Sequence, residues 1–245
     1  MTEKPAKKAG GFGDTFRTLV YALLIALGVR TLLFEPFNIP SGSMKPTLLV
    51  GDYLFVSKFS YGYSRYSLPF GLPLLDGRLF GRMPERGDVV VFKLPSDNST
   101  DYIKRVIGLP GDRIQVVNGI LHVNGQPVKV EPIGMFEDEE RGRSAEIPMF
   151  QETLPEGVQH RILEMSNSGP FDDTQVFEVP PGHFFAMGDN RDNSQDSRVI
   201  GFIPVENLIG RAEIIFFSVD GSARLWELWR WPFAIRYDRL FRPIH

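Results

Sequence analysis

No cysteine occurs among the 245 residues. That excludes disulfides, thiolate nucleophiles and thiolate-bound metals, and suits either side of a bacterial membrane. Histidine is scarce: His122, His160, His183 and His245 are the whole set, and none sits in a triad-like motif. Structural or surface roles account for them, so a histidine base is not expected. A basic excess is also missing. The chain has 27 Lys and Arg against 30 Asp and Glu, a net charge of −3, which argues against a nucleic-acid binder. No internal repeat is evident. Turn residues, in contrast, are plentiful. The 24 Gly and 19 Pro fit a mainly β body better than a helical bundle.

One long apolar run stands near the N-terminus. Thr18 to Phe34 is apolar apart from Thr18, Arg30 and Thr31, and as a helix it covers roughly 25 Å, a little short of a bilayer core. Arg30 lies near its far end, where its stem can snorkel to the interface. Pro36 is expected to end the helix. A cleavable signal peptide is the competing reading. Its only small-x-small site, Ala26-Leu27-Gly28, lies inside the apolar segment, which favours a retained anchor. The anchor is set at 16–35, behind a basic tail at 1–15. Lys4, Lys7, Lys8 and Arg17 precede the span, so the N-terminus is expected in the cytoplasm and the body outside. Ser43 follows Phe34 by nine residues, at most about 30 Å of extended chain, and so sits close to the outer bilayer surface.

Beyond the anchor the chain reads as strands. Asp52 to Ser57 and Asp88 to Phe92 are short β-branched or aromatic runs, and Gly210 to Val219 is another. Asn118-Gly119 and Asn124-Gly125 punctuate the runs around Ile120 to Val123 as hairpin turns. From Glu131 to Glu178 there are twelve Asp and Glu against three Arg, with a further hairpin expected around Pro155-Glu156-Gly157. This segment, 129–180, reads as an acidic cap lobe inserted into a β core formed by 36–128 and 181–222. A solvated acidic loop is the alternative. Residues 60–82 suggest an extended apolar loop near the membrane. The tail, 223–245, mixes Trp226, Trp229, Trp231 and Tyr237 with Arg224, Arg230, Arg236, Arg239 and Arg242. That is the chemistry of a membrane interface, or of a tail packed on the body.

Two runs carry reactive groups. Ile39-Pro40-Ser41-Gly42-Ser43-Met44-Lys45-Pro46 sets serines on a turn just outside the anchor, and Tyr102-Ile103-Lys104-Arg105-Val106-Ile107 sets a lysine on an apolar strand. A serine hydroxyl needs a base, and a lysine kept neutral by burial can be one. Together they are the minimum kit for amide hydrolysis without histidine. Arg105 alternates to the opposite strand face, where solvation is expected. A third run, Gly188-Asp189-Asn190-Arg191-Asp192-Asn193-Ser194-Gln195-Asp196-Ser197-Arg198, invites a calcium-loop reading. Ser197 stands at the glycine position and Ile203 at the closing glutamate, so that pattern fails.

These three runs, with Arg86-Gly87-Asp88-Val89-Val90-Val91-Phe92 and the anchor in the same order, resemble the bacterial signal peptidase I (leader peptidase) family. Its members are serine–lysine membrane proteases that remove signal peptides from exported proteins. The resemblance covers nearly the whole chain and is weakest in the cap and at 60–82. It implies Ser43 as nucleophile and Lys104 as general base. Ser41 and the Ser43 amide would form the oxyanion hole, Ser194 would orient the lysine, and Asp196 with Arg198 would support the site. Phe37, Ile39, Pro40, Met44, Leu48, Tyr102 and Ile103 would line shallow pockets for small substrate residues, although a plain core role explains them as well. It further implies preproteins as substrates, lipid contact, no nucleic acid, and no metal or cofactor. The expected location is the bacterial inner membrane, single-pass, with the catalytic domain on the periplasmic side. A self-cleaving repressor-type protein would carry a DNA-binding head in place of the anchor. A non-catalytic tethered β-domain that binds exported chains would have no use for a neutral lysine beside a serine.

Overall fold

The computed structural model describes residues 12–68, 71, 75–140, 143–166, 168–223, 226–227 and 229–245; residues 1–11 of the basic tail, and Arg224, lie outside them. Helix α1 (Phe12–Leu32) has 21 residues, about 31 Å of rise. Its apolar stretch is not buried by any part of the fold. A helix of that length and composition is long and apolar enough to cross a bilayer core. The span begins earlier than expected and stops at Leu32, and Pro36 does not end it. Residues Phe34–Asn38 leave the helix to form strand β1, paired antiparallel with β2 (Asp52–Ser57). Phe34 packs edge-on against Phe55 and Phe59, and Pro36 is tolerated because β1 is an edge strand. The body satisfies the helix terminus: Tyr63 Oη donates to the Leu32 carbonyl at 2.8 Å and the Lys58 amide to Leu33 at 2.9 Å, groups that a helix end leaves open.

The remaining strands are β3 (Val89–Lys93), β4 (Asp101–Gly108), β5 (Arg113–Val117), β6 (Ile120–Val123), β7 (Gln126–Pro127), β8 (Lys129–Glu140), β9 (Arg143–Thr153), β10 (Gln159–Leu163), β11 (Phe177–Glu178), β12 (His183–Met187), β13 (Ile203–Pro204), β14 (Leu208–Ser218) and β15 (Arg242–Pro243). The main sheet runs β1-β2-β14-β3-β4-β12-β13, with β15 beside β14. Strands β5, β6 and β7 turn at Asn118-Gly119 and Asn124-Gly125, where all four residues have positive φ, from 49° to 80°. Asn-Gly supplies that conformation cheaply in a two-residue hairpin.

The acidic segment forms a long ribbon, β8–β9, joined by β10 through the turn at Pro155–Gly157. Its base is tied to the core. Glu152 is buried against Arg191 and His160, and the Leu163 amide donates to the Asp189 carbonyl. Strand β11 returns to pair with β5. In the last segment, two arginines reach into the body while several aromatics stay exposed. Arg239 pairs with buried Asp52, and Arg236 donates to the Val50 and Val219 carbonyls. Trp226, Trp229, Phe233 and Phe241 are exposed.

Candidate active site

The turn that carries Ser43 is built by continuing the β1–β2 ladder. Ile39 exchanges backbone bonds with Asp52 and Gly51 before the chain turns, with Lys45 N donating to the Gly42 carbonyl at 3.1 Å. Met44 and Leu48 then drop fully buried into the main core with Leu54, Val56 and Ile215. Of the seven residues expected to line pockets, these two alone are absent from the lining of the cavity beside Ser43. Apolar side chains directly after the serine gain more by filling the core, and they anchor the turn so that Ser43 points the other way. The 188–198 loop clamps that turn from outside. The Asn190 amide donates to the Ser43 carbonyl and Asn190 Nδ2 to that of Gly42, both at 3.1 Å.

Strand β4 brings the lysine in from beneath. Lys104 Nζ lies 2.7 Å from Ser43 Oγ, and both side chains are buried. Nζ also donates to the Ile103 carbonyl at 2.8 Å and lies 5.3 Å from the Tyr102 ring. Burial pushes the ammonium down from its usual 10.5 to about 8; Asp196 and Asp189 pull it partly back up. No carboxylate pairs with it among the described residues. A lysine so placed can accept the serine proton near neutral pH.

Arg105, the next residue, is not solvated as expected but fully buried. Its guanidinium grips Asp189 in two bonds of 2.8 Å and donates to the Gly87 carbonyl. Thr47 Oγ1 donates to the same carboxylate. Solvation fails here because Asp189, Thr47 and the His245 segment cover that face: the His245 carbonyl accepts from Arg105.

Asp196 and Arg198 form a bidentate pair with two contacts of 2.9 Å. Asp196 also accepts from the Gly188 amide and caps the short helix α2 (Ser197–Ile200). Ser194 lines the cavity beside the Ser43–Lys104 pair with its Oγ buried, and the Ile103 carbonyl accepts from the lysine. Gly188 was given no role by sequence reasoning, yet it is sterically required. A Cβ there would stand 2.2 Å from Ser194 Oγ and 2.5 Å from the Ser43 carbonyl. Its position ahead of the Asp-Asn turn is the signal that could have found it. Lys45 was also missed. It reaches across to Asp138 of β8 at 2.6 Å, joining the serine turn to the ribbon.

Above the pair opens a cavity of about 550 Å³, lined by Phe37, Ile39, Pro40, Ser41, Tyr102 and Ile103, with Phe171 and the 192–195 turn closing one wall. Ser41 is exposed at its rim. Strand β12 covers only Arg105 to Gly108 of β4, leaving the edge of 101–104 open to this cavity. The described residues contain one cluster of three carboxylates, Glu164, Asp172 and Asp192. Burial and the two neighbouring charges push Glu164 up to about 8, so it holds a proton at neutral pH.

The profile of a family described as signal peptidase, peptidase S26, matches residues 12–217. A signal peptidase I of Rickettsia conorii is 41% identical over all of this chain and 95% of its own length. One from Rickettsia typhi is 42% identical over 94% of this chain and 93% of its own. A solved signal peptidase I from Enterococcus faecalis, 24% identical and covering 53% of this chain and 97% of its own, has a TM-score of only 0.32 and bears no weight beside these.

Proposed function

The chain belongs to the signal peptidase family and is a membrane-anchored serine endopeptidase that removes signal peptides, and from that premise we propose that Ser43 is its nucleophile and Lys104 its general base. The observation that carries the assignment is the 2.7 Å contact between a buried serine and a buried lysine without a counter-ion. Histidine offers no rival: His122, His160, His183 and His245 are all absent from the cavity lining.

The signal-bearing preprotein enters extended. Its backbone adds to the open edge of 101–104, as peptides add to exposed strands, and its small side chains meet Phe37, Ile39, Pro40, Tyr102 and Ile103. Neutral Lys104 takes the Ser43 proton as Oγ attacks the scissile carbonyl. The Ser43 amide and the Ser41 hydroxyl stabilise the oxyanion. Lys104 gives its proton to the leaving amine, then activates the water that hydrolyses the acyl-enzyme. Ser194, in the wall of the same cavity, orients the lysine, and Asp196 with Arg198 holds the loop that clamps the serine turn.

The basic residues ahead of α1 support an N-terminus in the cytoplasm and the β body on the outer side of the inner membrane. There the nucleophile meets the cleavage region of a signal peptide still held in lipid. Cleavage of a preprotein in lipid vesicles by wild type, Ser43→Ala and Lys104→Met tests the assignment. Retained cleavage by either folded variant would refute it.

A further inference from the structure

Where α1 meets the body, a second cavity of about 690 Å³ opens, distinct in chemistry from the first. Arg30 in the last turn of α1, Lys58 after β2, Arg65 in the turn at 65–67 and Lys93 ending β3 all line it, with Glu35 and Asp101 as its acids. Glu35 is shared between Arg30 and Lys58, each at 2.7 Å, and Asp101 takes Lys93 at 2.7 Å. Burial alone would raise the Glu35 carboxyl, but Lys58 and Arg30 hold it below its usual range. Four cations therefore share two carboxylates. Among the described residues, Arg65 is the one left over. Its guanidinium stacks on the Tyr66 ring at 4.7 Å and donates to that hydroxyl, while its Nε is buried without an acceptor.

We propose that this pocket binds a phosphate anion, carried by the headgroup of an anionic phospholipid. A guanidinium that lines the cavity and meets no carboxylate among the described residues matches phosphate oxygens in charge and geometry. The source is argued from location. Leu27 and Thr31 of α1 line the same cavity, so one wall belongs to the span; Arg30 at that wall's end and Lys58, Arg65 and Lys93 of the body supply the cations. An acyl chain beside Leu27 places its headgroup among Arg30, Arg65 and Lys93. This rests on the reading of α1 as a membrane span and is independent of the Ser43–Lys104 chemistry. Phe37 and Asp101 line both cavities, so a bound headgroup braces the wall shared with the cleavage groove.

The test is native mass spectrometry of the full chain in detergent, supplied with phosphatidylglycerol or phosphatidylcholine. Wild type should retain one phosphatidylglycerol in preference to phosphatidylcholine, and Arg65→Gln should cut that retention about tenfold. Arg65→Lys should keep most of it. Thermal melting and preprotein cleavage in detergent report that the Arg65 variants fold, and Lys93→Gln provides a second variant with the same expected loss. Equal retention by wild type and a folded Arg65→Gln, or equal retention of the two lipids, overturns the proposal. Displacement of the lipid by millimolar inorganic phosphate assigns the site to the free anion and overturns the lipid source. Release of the protein from vesicles by alkaline carbonate would strike the membrane-span premise instead, a result separate from the Arg65 dependence.

Discussion

Lys104 and Arg105 are adjacent on one strand, both cationic and both buried, yet the fold treats them oppositely. Arg105 receives a carboxylate in bidentate contact and the carbonyls of Gly87 and His245. Lys104 receives a serine hydroxyl and one carbonyl. Because side chains alternate along a strand, the two cations report on two faces of the same sheet. One face stabilises charge and fixes structure. The other disfavours charge and makes a base. Burial alone does not depress a cation; burial without a paired carboxylate does.

The largest effects should separate these roles. Ser43→Ala and Lys104→Met are each expected to lower kcat/KM for preprotein cleavage on the order of 10⁴-fold or more. Lys104→Met should at the same time make the protein more stable at pH 7, because a lysine held at about 8 instead of 10.5 carries a penalty of about 3 kcal/mol. Chemical denaturation in detergent measures the change. Arg105→Ala should act in the opposite direction, destabilising by about 3–5 kcal/mol, since it leaves Asp189 charged and unpaired in the interior. If both variants shift stability the same way, the contrast between the two faces is wrong.

The sequence made half of this contrast legible. The serine turn, the strand lysine and the Asn-Gly hairpins were readable because each is local: periodicity, turn chemistry and short spacing decide them. The long-range partners were not. Arg105 was expected in water because strand alternation tells which face a residue occupies, but not what later covers that face. Here the cover comes from Asp189 and His245, 84 and 140 residues away. Met44 and Leu48 were undecided for a similar reason. Being apolar beside a nucleophile is equally consistent with groove and core, and only the packing with Leu54 and Ile215 decides for core. The anchor's end was missed because Pro36 signals a helix stop, whereas pairing with β2 had already drawn the chain out at Phe34.

A smaller effect probes the lysine's face from the substrate side. Ser41→Ala should reduce kcat by about 10²–10³ with little change in KM, as the loss of one oxyanion donor does. Ser41 is exposed at the cavity rim, so its removal should leave thermal stability essentially unchanged. A matching rise in KM would assign Ser41 to substrate binding instead.

The smallest effect is the most diagnostic, because pH reaches Lys104 and leaves Arg105 charged. Activity needs the neutral amine, so kcat/KM should rise with pH at unit slope and level off above about 8, the value set by burial. From pH 8 down to 6 the neutral fraction falls about fiftyfold. The stability profile has its own sign. The folded lysine is depressed relative to the unfolded one, so between about 8 and 10.5 the unfolded chain holds the extra proton. Stability therefore increases with pH across that window and is flat for this group below it. In Lys104→Met that slope should vanish, while in Ser41→Ala both the slope and the activity midpoint should stay where they are. A midpoint that stays near 8 in wild type but belongs to another residue would be exposed by the same pair: Lys104→Met would then keep the stability slope.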